Sequence, residues 1–353
     1  MQRISRYVAR QVAAATLLVL AVLIGIDIIS GVIDQAGDLD ERYTVLSALR
    51  YTLLTAPSRV YAFLPFAALI GGLAGLGTLA TTSELIVIRT AGVSVLRILW
   101  MAIRPLLLIA LAGALVAEYV GPPLKQQAES FRAIALEKGD IGISRFGLWH
   151  REGNRFIHFN AVQPNGELLG ITVYEMDAQR RLQSALFARR ALYQGDHWLF
   201  EDVRESRFAD NKLERVEEPR RQWQTQLSPQ LLNVLVLEPR DLSISGLWRY
   251  VRFLREQGSN AGEYELAFWN KVLLPIAIVS LILVAASIVF GPLRQATMGY
   301  RVFVGVLIGV VFRVSQDMLG PASLVFGFAP ILASAVPIGL SLIAGTLILR
   351  RQA

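Results

Sequence analysis

"VYAFLPFAALIGGLAGLGTLA", Val60 to Ala80, contains no charged residue. A helix of that length covers about 30 Å at about 1.5 Å per residue, the hydrocarbon thickness of a bilayer. Apolar all round, it has no polar face to turn to water, so it reads as a membrane span. Two more runs are free of charge, Val272 to Leu293 and Gly320 to Leu349. Three others carry isolated charges: Val12 to Ile33 with Asp27, Ile98 to Val120 with Arg104 and Glu118, and Val302 to Leu319 with Arg313 and Asp317. The pattern predicts an α-helical membrane protein with six transmembrane helices in two triplets, on either side of a long polar middle. Composition agrees: 54% of the 353 residues are hydrophobic and only 18% charged.

Orientation follows from the distribution of Lys and Arg. With the N-terminus cytoplasmic, the inside segments hold Arg3, Arg6, Arg10, Arg89, Arg97, Arg104, Arg294, Arg301, Arg350 and Arg351 against one acid, Glu84. The net charge of +7 then divides into +9 inside and −2 outside. Both termini are expected in the cytoplasm and the polar middle in the periplasm. The basic balance is thus a topology signal and not one of nucleic-acid binding, because no basic stretch is interleaved with aromatics in a soluble domain. The first apolar run has a basic start but no convincing cleavage site after it, and five more spans follow, so it reads as a span and not a signal peptide. There is no cysteine and hence no thiolate metal site.

Between the triplets the pattern changes to short alternating stretches. Asn154 to Asn160, Leu168 to Met176, Leu182 to Tyr193 and His197 to Arg204 read as strands, with turn signals at Asn165-Gly166 and Gly195-Asp196. A β-sandwich or jelly roll of about seven or more strands is expected there. Pro122 to Lys138 reads as a helix rising from the third span. Ser245 to Gln257 is amphipathic and reads as a surface connector. The predicted organisation is residues 1–123 with three spans, 124–244 with the periplasmic jelly-roll domain and its flanking helix, and 245–353 with the connector and three spans.

No soluble-enzyme constellation is present. His150, His158 and His197 fall in predicted strands without zinc-site spacing and are read as surface or edge residues. No phosphate loop of the G-x-x-x-x-G-K-[ST] type occurs. Gly71 and Gly75 lie inside a span at a spacing that suits close helix packing.

Charges within spans are costly and mark candidate functional positions. Arg313 and Asp317 are spaced i, i+4 and can pair. Counted from the inner boundary, they and Asp27 lie toward the outer leaflet, where two readings stand open: snorkelling to the interface, or lining a polar cavity. The first outer loop is acidic early (Asp34, Asp38, Asp40, Glu41) and basic later (Arg42, Arg50, Arg59). Bases at a cavity rim would suit a phosphorylated lipid head, and a solvated loop is the plainer reading.

"SELIVIRTAGVS", Ser83 to Ser94, interrupts the first triplet. Thr81 to Glu84 fits a capping box and Gly92 a left-handed stop. The stretch predicts a separate cytoplasmic helix over about 82–92, exposing Leu85 and Ile88 with Glu84 and Arg89 as polar anchors. A helix this short is marginal alone, so a docking surface is expected to hold it.

Tyr51 to Ser94, "DLSISGLWRYVRFLREQG" (Asp241 to Gly258) and "FGPLRQATMGYRV" (Phe290 to Val302) together resemble the LptF/LptG permease family of the lipopolysaccharide export ABC transporter. The LSISGL stretch favours the G-type subunit. The resemblance implies a non-catalytic permease in a Gram-negative inner membrane that extracts lipopolysaccharide from the outer leaflet and passes it to a periplasmic bridge. The implied partners are a homodimeric cytoplasmic ATPase (LptB-like) that carries the ATP and Mg, the paralogous permease (LptF-like), a single-span LptC-like protein and a periplasmic LptA-like bridge. It implies ATPase coupling through Thr82, Ser83, Glu84, Leu85, Val87, Ile88, Arg89 and Gly92. It also implies a lipid cavity drawing on Asp27, Arg42, Arg59, Phe63, Phe66, Arg301, Phe312, Arg313 and Asp317. Relatives can carry lysines just after the first span where this chain is acidic, which shifts the expected phosphate contacts to Arg42 and Arg59. Two rivals from other classes are an ion-gradient-driven secondary transporter using Asp27 and the Arg313/Asp317 pair, and a scaffold that recruits periplasmic partners.

Overall fold

The computed structural model describes residues 2–40, 43–136, 148–162, 166–177, 179, 181–209, 212–225, 237–256, 260–291 and 296–351. Glu41, Arg42, Asn165 and Arg294 lie outside them. The chain divides into two compact units. The first comprises Met1–Ile29, Ala56–Gly121 and Ser243–Ala353; the second comprises Ser30–Thr55 and Pro122–Leu242.

The described helices are α1 (Gln2–Asp34), α2 (Val45–Thr81), α3 (Glu84–Thr90), α4 (Val95–Leu115), α5 (Gly121–Leu136), α6 (Ile244–Glu256), α7 (Gly262–Val272), α8 (Leu274–Phe290), α9 (Met298–Phe326) and α10 (Pro330–Arg350). A single π-helical turn, Val116–Val120, joins α4 to α5 without a break. Among the described residues five helical stretches are long and apolar enough to cross a membrane: α1, α2, α4 with α5, α9 and α10. A sixth follows if α7 and α8, bent by 51° at their junction, count as one span. The apolar run that the sequence carries from Gly320 to Leu349 is not one helix. Gly327, at φ +73°, closes α9, and Pro330 opens α10. Glycine tolerates the left-handed stop, and proline lacks the N–H that a helix start leaves unused.

In the first unit α2 is the hub. A Cβ on Gly71 would stand 2.4 Å from the Thr16 Cα of α1, and one on Gly75 would stand 2.8 Å from the Val12 Cα, so only glycine permits this approach of α1 to α2. On other sides α2 meets α8 through Gly72 and Ile282, α4 through Leu64 and Gly113, and α9 through Leu73 and Phe66 against Gly305 and Gly309. The core they share includes Leu69, Leu73, Leu76, Ile98, Leu281 and Ile282, all fully buried or nearly so.

The second unit holds six strands: β1 (Leu148–Glu152), β2 (Arg155–Val162), β3 (Leu168–Met176), β4 (Leu182–Tyr193), β5 (Trp198–Ala209) and β6 (Lys212–Trp223). They form one antiparallel sheet in sequence order, a meander of hairpins. β3 and β4 have the bounds read from the alternation, β2 and β5 overlap the stretches read and run beyond them, and β1 and β6 are strands that the alternation did not single out. A row running across the sheet, Asn160, Gly170, Arg189, Asp202 and Pro219, is skipped in the pairing of every neighbouring pair from β2 to β6. Gly170 and Asp202 on that row have φ near +59° and +54°. A Cβ on Gly170 would stand 2.3 Å from the Asn160 Nδ2. The row is a crease at which β3, β4 and β5 change parity. Ile171, Ala188 and Val203 on one side and Leu168, Ala191 and Phe200 on the other therefore enter the same core, with Trp198.

Candidate functional site

The corner between α2 and α4 is built from the residues read as a docking helix. Helix α3 has seven residues, Glu84–Thr90, shorter than the sequence suggests. Its N-cap is Ser83, in the left-handed region at φ 60°, and not Thr81; the Thr81 and Thr82 hydroxyls instead donate back to Thr78 O at 2.9 and 3.0 Å. Gly92 takes the expected left-handed conformation, at φ +83°. Leu85 and Ile88, expected to face outward, are buried in the helical core of the first unit. The outward apolar residues are Ile86 and Val87, and Val87 is 66% exposed. The reason is local: Leu85 to Ile88 are all aliphatic, so the i, i+3 pair satisfies the larger core, and the remaining two are left at the surface. Thr82, Ser83, Arg89 and Gly92 are exposed, and Glu84 is half-buried.

Of the charges read inside the spans, Asp27, Glu118, Arg313 and Asp317 have hydrogen-bond partners, and the Arg104 guanidinium lies 5.2 Å from the centre of the Trp100 ring. Arg59 Nη1 on α2 donates to Asp27 Oδ2 on α1 at 2.7 Å. Arg313 Nε donates to Asp317 Oδ2 at 2.8 Å along one exposed face of α9. A third carboxylate, Glu118 in the π-helical turn, accepts from the backbone N–H groups of Ile244 at 2.7 Å and Ser245 at 3.3 Å. It thereby caps α6, whose first N–H groups have no helical partner. The sequence shows Glu118 only as an isolated charge; its partner, the LSISGL stretch, lies far along the chain, so only the fold connects the two.

The remaining cavity candidates divide. Phe66 packs on Gly309, Phe63 is half-buried, and Phe312 is almost fully buried in the helical core. Arg301 lies in the first turn of α9 and is fully buried, its Nη1 donating to the Gly77 carbonyl of α2 at 2.8 Å. Asp27 meets Arg59, and Arg313 meets Asp317. Arg42 lies outside the described residues.

Within the second unit the acidic loop after α1 is engaged internally. Asp38 accepts from Arg132 on α5, and Asp40 Oδ1 accepts from the Tyr43 N–H at 2.7 Å. Lys125 lies 2.9 Å from Glu129 and 3.7 Å from Asp241. The sheet face opposite its core carries an open cavity of about 350 Å³, lined by Thr172, Tyr174, Phe187, Arg204, Ser206 and Arg215 among others. His158, read as a surface or edge residue, is fully buried. No cluster of three or more potential metal ligands occurs among the described residues.

A family profile described as "Lipopolysaccharide export system permease LptF/LptG" matches residues 6–351. "Lipopolysaccharide export system permease protein LptG" of Escherichia coli (strain K12) is 35% identical over 338 residues, covering 95% of this chain and 94% of that protein. The protein of the same name from Haemophilus influenzae is 32% identical over 337 residues, with the same coverage of each. Both similar proteins are G-type, as the LSISGL stretch suggested.

Proposed function

The chain belongs to the LptF/LptG family of lipopolysaccharide export permeases, and on that premise we propose that it is the G-type half of an ABC transporter that lifts lipopolysaccharide out of the outer leaflet of the inner membrane. In this reading six spans cross the membrane, the termini are cytoplasmic, and the β-domain is a periplasmic jelly roll. A separate homodimeric ATPase hydrolyses ATP with Mg. An F-type permease completes the cavity, and a single-span protein and a periplasmic bridge receive the lipid.

The observation that carries the reading is the α3 corner. Leu85 and Ile88 root the helix in the core of the spans while Val87 and Ile86 stand outside it. A push on the outer face is therefore delivered to packed side chains, and packed interiors transmit displacement instead of absorbing it. The pairing of charges weighs against an ion-coupled transporter: Asp27 and Asp317 each hold an arginine, and Glu118 holds two backbone N–H groups. On the lipid side, Arg59 and Arg313 are the described cations we assign to a phosphorylated head, since a guanidinium suits bidentate phosphate contact.

Two substitutions separate docking from folding. Val87→Asp is expected to abolish copurification of the ATPase while leaving the thermal stability of the chain unchanged; Leu85→Asp, which buries a charge, is expected to lose the folded chain. If the ATPase still copurifies with Val87→Asp, docking through this face is wrong.

A further inference from the structure

We propose that Arg301 is a positioning residue that bolts the first turn of α9 to the α2–α3 corner, so that a movement of α3 drives α9 as well as α2. The proposal rests on the reading of α3 as the ATPase docking point, and it moves Arg301 from the lipid cavity to the coupling path.

A fully buried arginine is costly to desolvate, and an apolar side chain of similar volume would fill the site without that cost. What the arginine supplies is a directed, charge-assisted hydrogen bond, here 2.8 Å long, from α9 to the Gly77 carbonyl of α2. The acceptor is well chosen. Gly77 lies one turn before the end of α2 at Thr81, where the aligned peptide dipoles leave partial negative charge. The same carbonyl also accepts from the Thr81 hydroxyl at 3.2 Å. A Cβ at position 77 would stand 3.0 Å from the Arg301 Nη1, so glycine leaves the guanidinium its seat.

Three elements meet in this block. Helix α2 ends at Thr81, Ser83 turns the chain in the left-handed region, and α3 returns Leu85 and Ile88 to the core. Arg301 adds α9, whose outer half carries the exposed Arg313 and Asp317. Farther up, α9 meets α2 through Gly305 against Leu73 and Gly309 against Phe66, glycines facing apolar side chains. Packing of that kind permits sliding; the hydrogen bond at the cytoplasmic end fixes the register.

The test uses the complex reconstituted in nanodiscs with its ATPase and sister permease. The chain has no cysteine of its own, so spin labels can be placed through Thr90→Cys on α3 and Leu307→Cys on α9, each measured against Ile276→Cys on α8. In the wild-type background ATP with vanadate should shift both distances, and lipid release should follow ATP turnover. With Arg301→Met, the α3 shift and ATP hydrolysis should persist within about twofold. The α9 shift should vanish, and lipid released per ATP should fall at least about tenfold. Arg301→Lys, which can still donate, should recover part of both, and Gly77→Ala should give an intermediate loss. If Arg301→Met keeps the α9 shift and the release per ATP, the bolt is overturned. Loss of lipid capture with the α9 shift intact also overturns it, returning Arg301 to the cavity. Absence of ATP-dependent release in the wild-type background instead overturns the proposed function.

Discussion

Glu205 shows what a single residue does here that its neighbours in sequence do not reveal. In "WLFEDVRESRF" it is one more polar residue, just beyond the strand read over His197 to Arg204. The register of β5 with β4 and β6 sets it opposite Leu186 and Val216, and its side chain is only 9% exposed. Burial pushes its carboxyl up, but hydrogen bonds from Arg207 at 2.8 Å and Arg221 at 2.9 Å more than offset this and hold it below the usual glutamate range. Arg221 also forks onto Glu218, which its hydrogen bonds lower in turn. A depressed folded value stabilises the domain above the unfolded glutamate pKa of about 4.3, and that stability is lost as pH falls through the folded value. Glu205→Gln is thus expected to destabilise the β-domain by about 1–3 kcal/mol at neutral pH and to flatten its acid limb. Thermal unfolding of the full chain followed across pH by intrinsic fluorescence, to which Trp198 and Trp223 contribute among its six tryptophans, measures both. An unchanged acid limb in the variant would refute the assignment.

At the scale of elements, the sequence was informative where one rule acted alone. The spans follow from apolar length, the strands from alternation, and the end of α3 from Gly92. It misled where two rules competed. Four aliphatic residues in a row give α3 no unique face, so the sequence offers Leu85 and Ile88 for docking while the larger core claims them. The crease of the sheet was hidden because a parity change needs partners on neighbouring strands; only Gly170 and Pro219 hint at it in the chain. Gly71 and Gly75 are the opposite case, since small residues four apart in a span carry their meaning locally. Their contacts with the backbone of Thr16 and Val12 make a direct prediction. Gly71→Ala needs α1 to move away by about 1 Å or more to restore ordinary contact. It should cost about 1–3 kcal/mol, read as a lower unfolding temperature in detergent. Gly25→Ala, on α1 with nothing within 4 Å of the added carbon, is the control and should leave it unchanged.

At the scale of the whole molecule, the strongest constraint on orientation is charge. If six stretches cross, ten bases and one acid fall on one side and a small acidic excess on the other, a division that costs least when the basic side faces the cytoplasm. That argument depends on loops and helix ends and not on any contact within the fold, so packing alone cannot substitute for it. It is also testable without disturbing the core, because the chain is free of cysteine and single thiols can be placed at exposed positions. Thr90 on α3 and Gln183 on β4 are both exposed. In intact spheroplasts, a membrane-impermeant maleimide should label Gln183→Cys and spare Thr90→Cys; after permeabilisation both should react. The two results are linked by the parity of crossings. Among the described residues between Thr90 and Gln183 one stretch is able to span, α4 with α5, so opposite labelling is expected to mean that this stretch crosses. Labelling of both thiols from outside would mean that it does not, and α3 would then lie where no cytoplasmic ATPase could reach it.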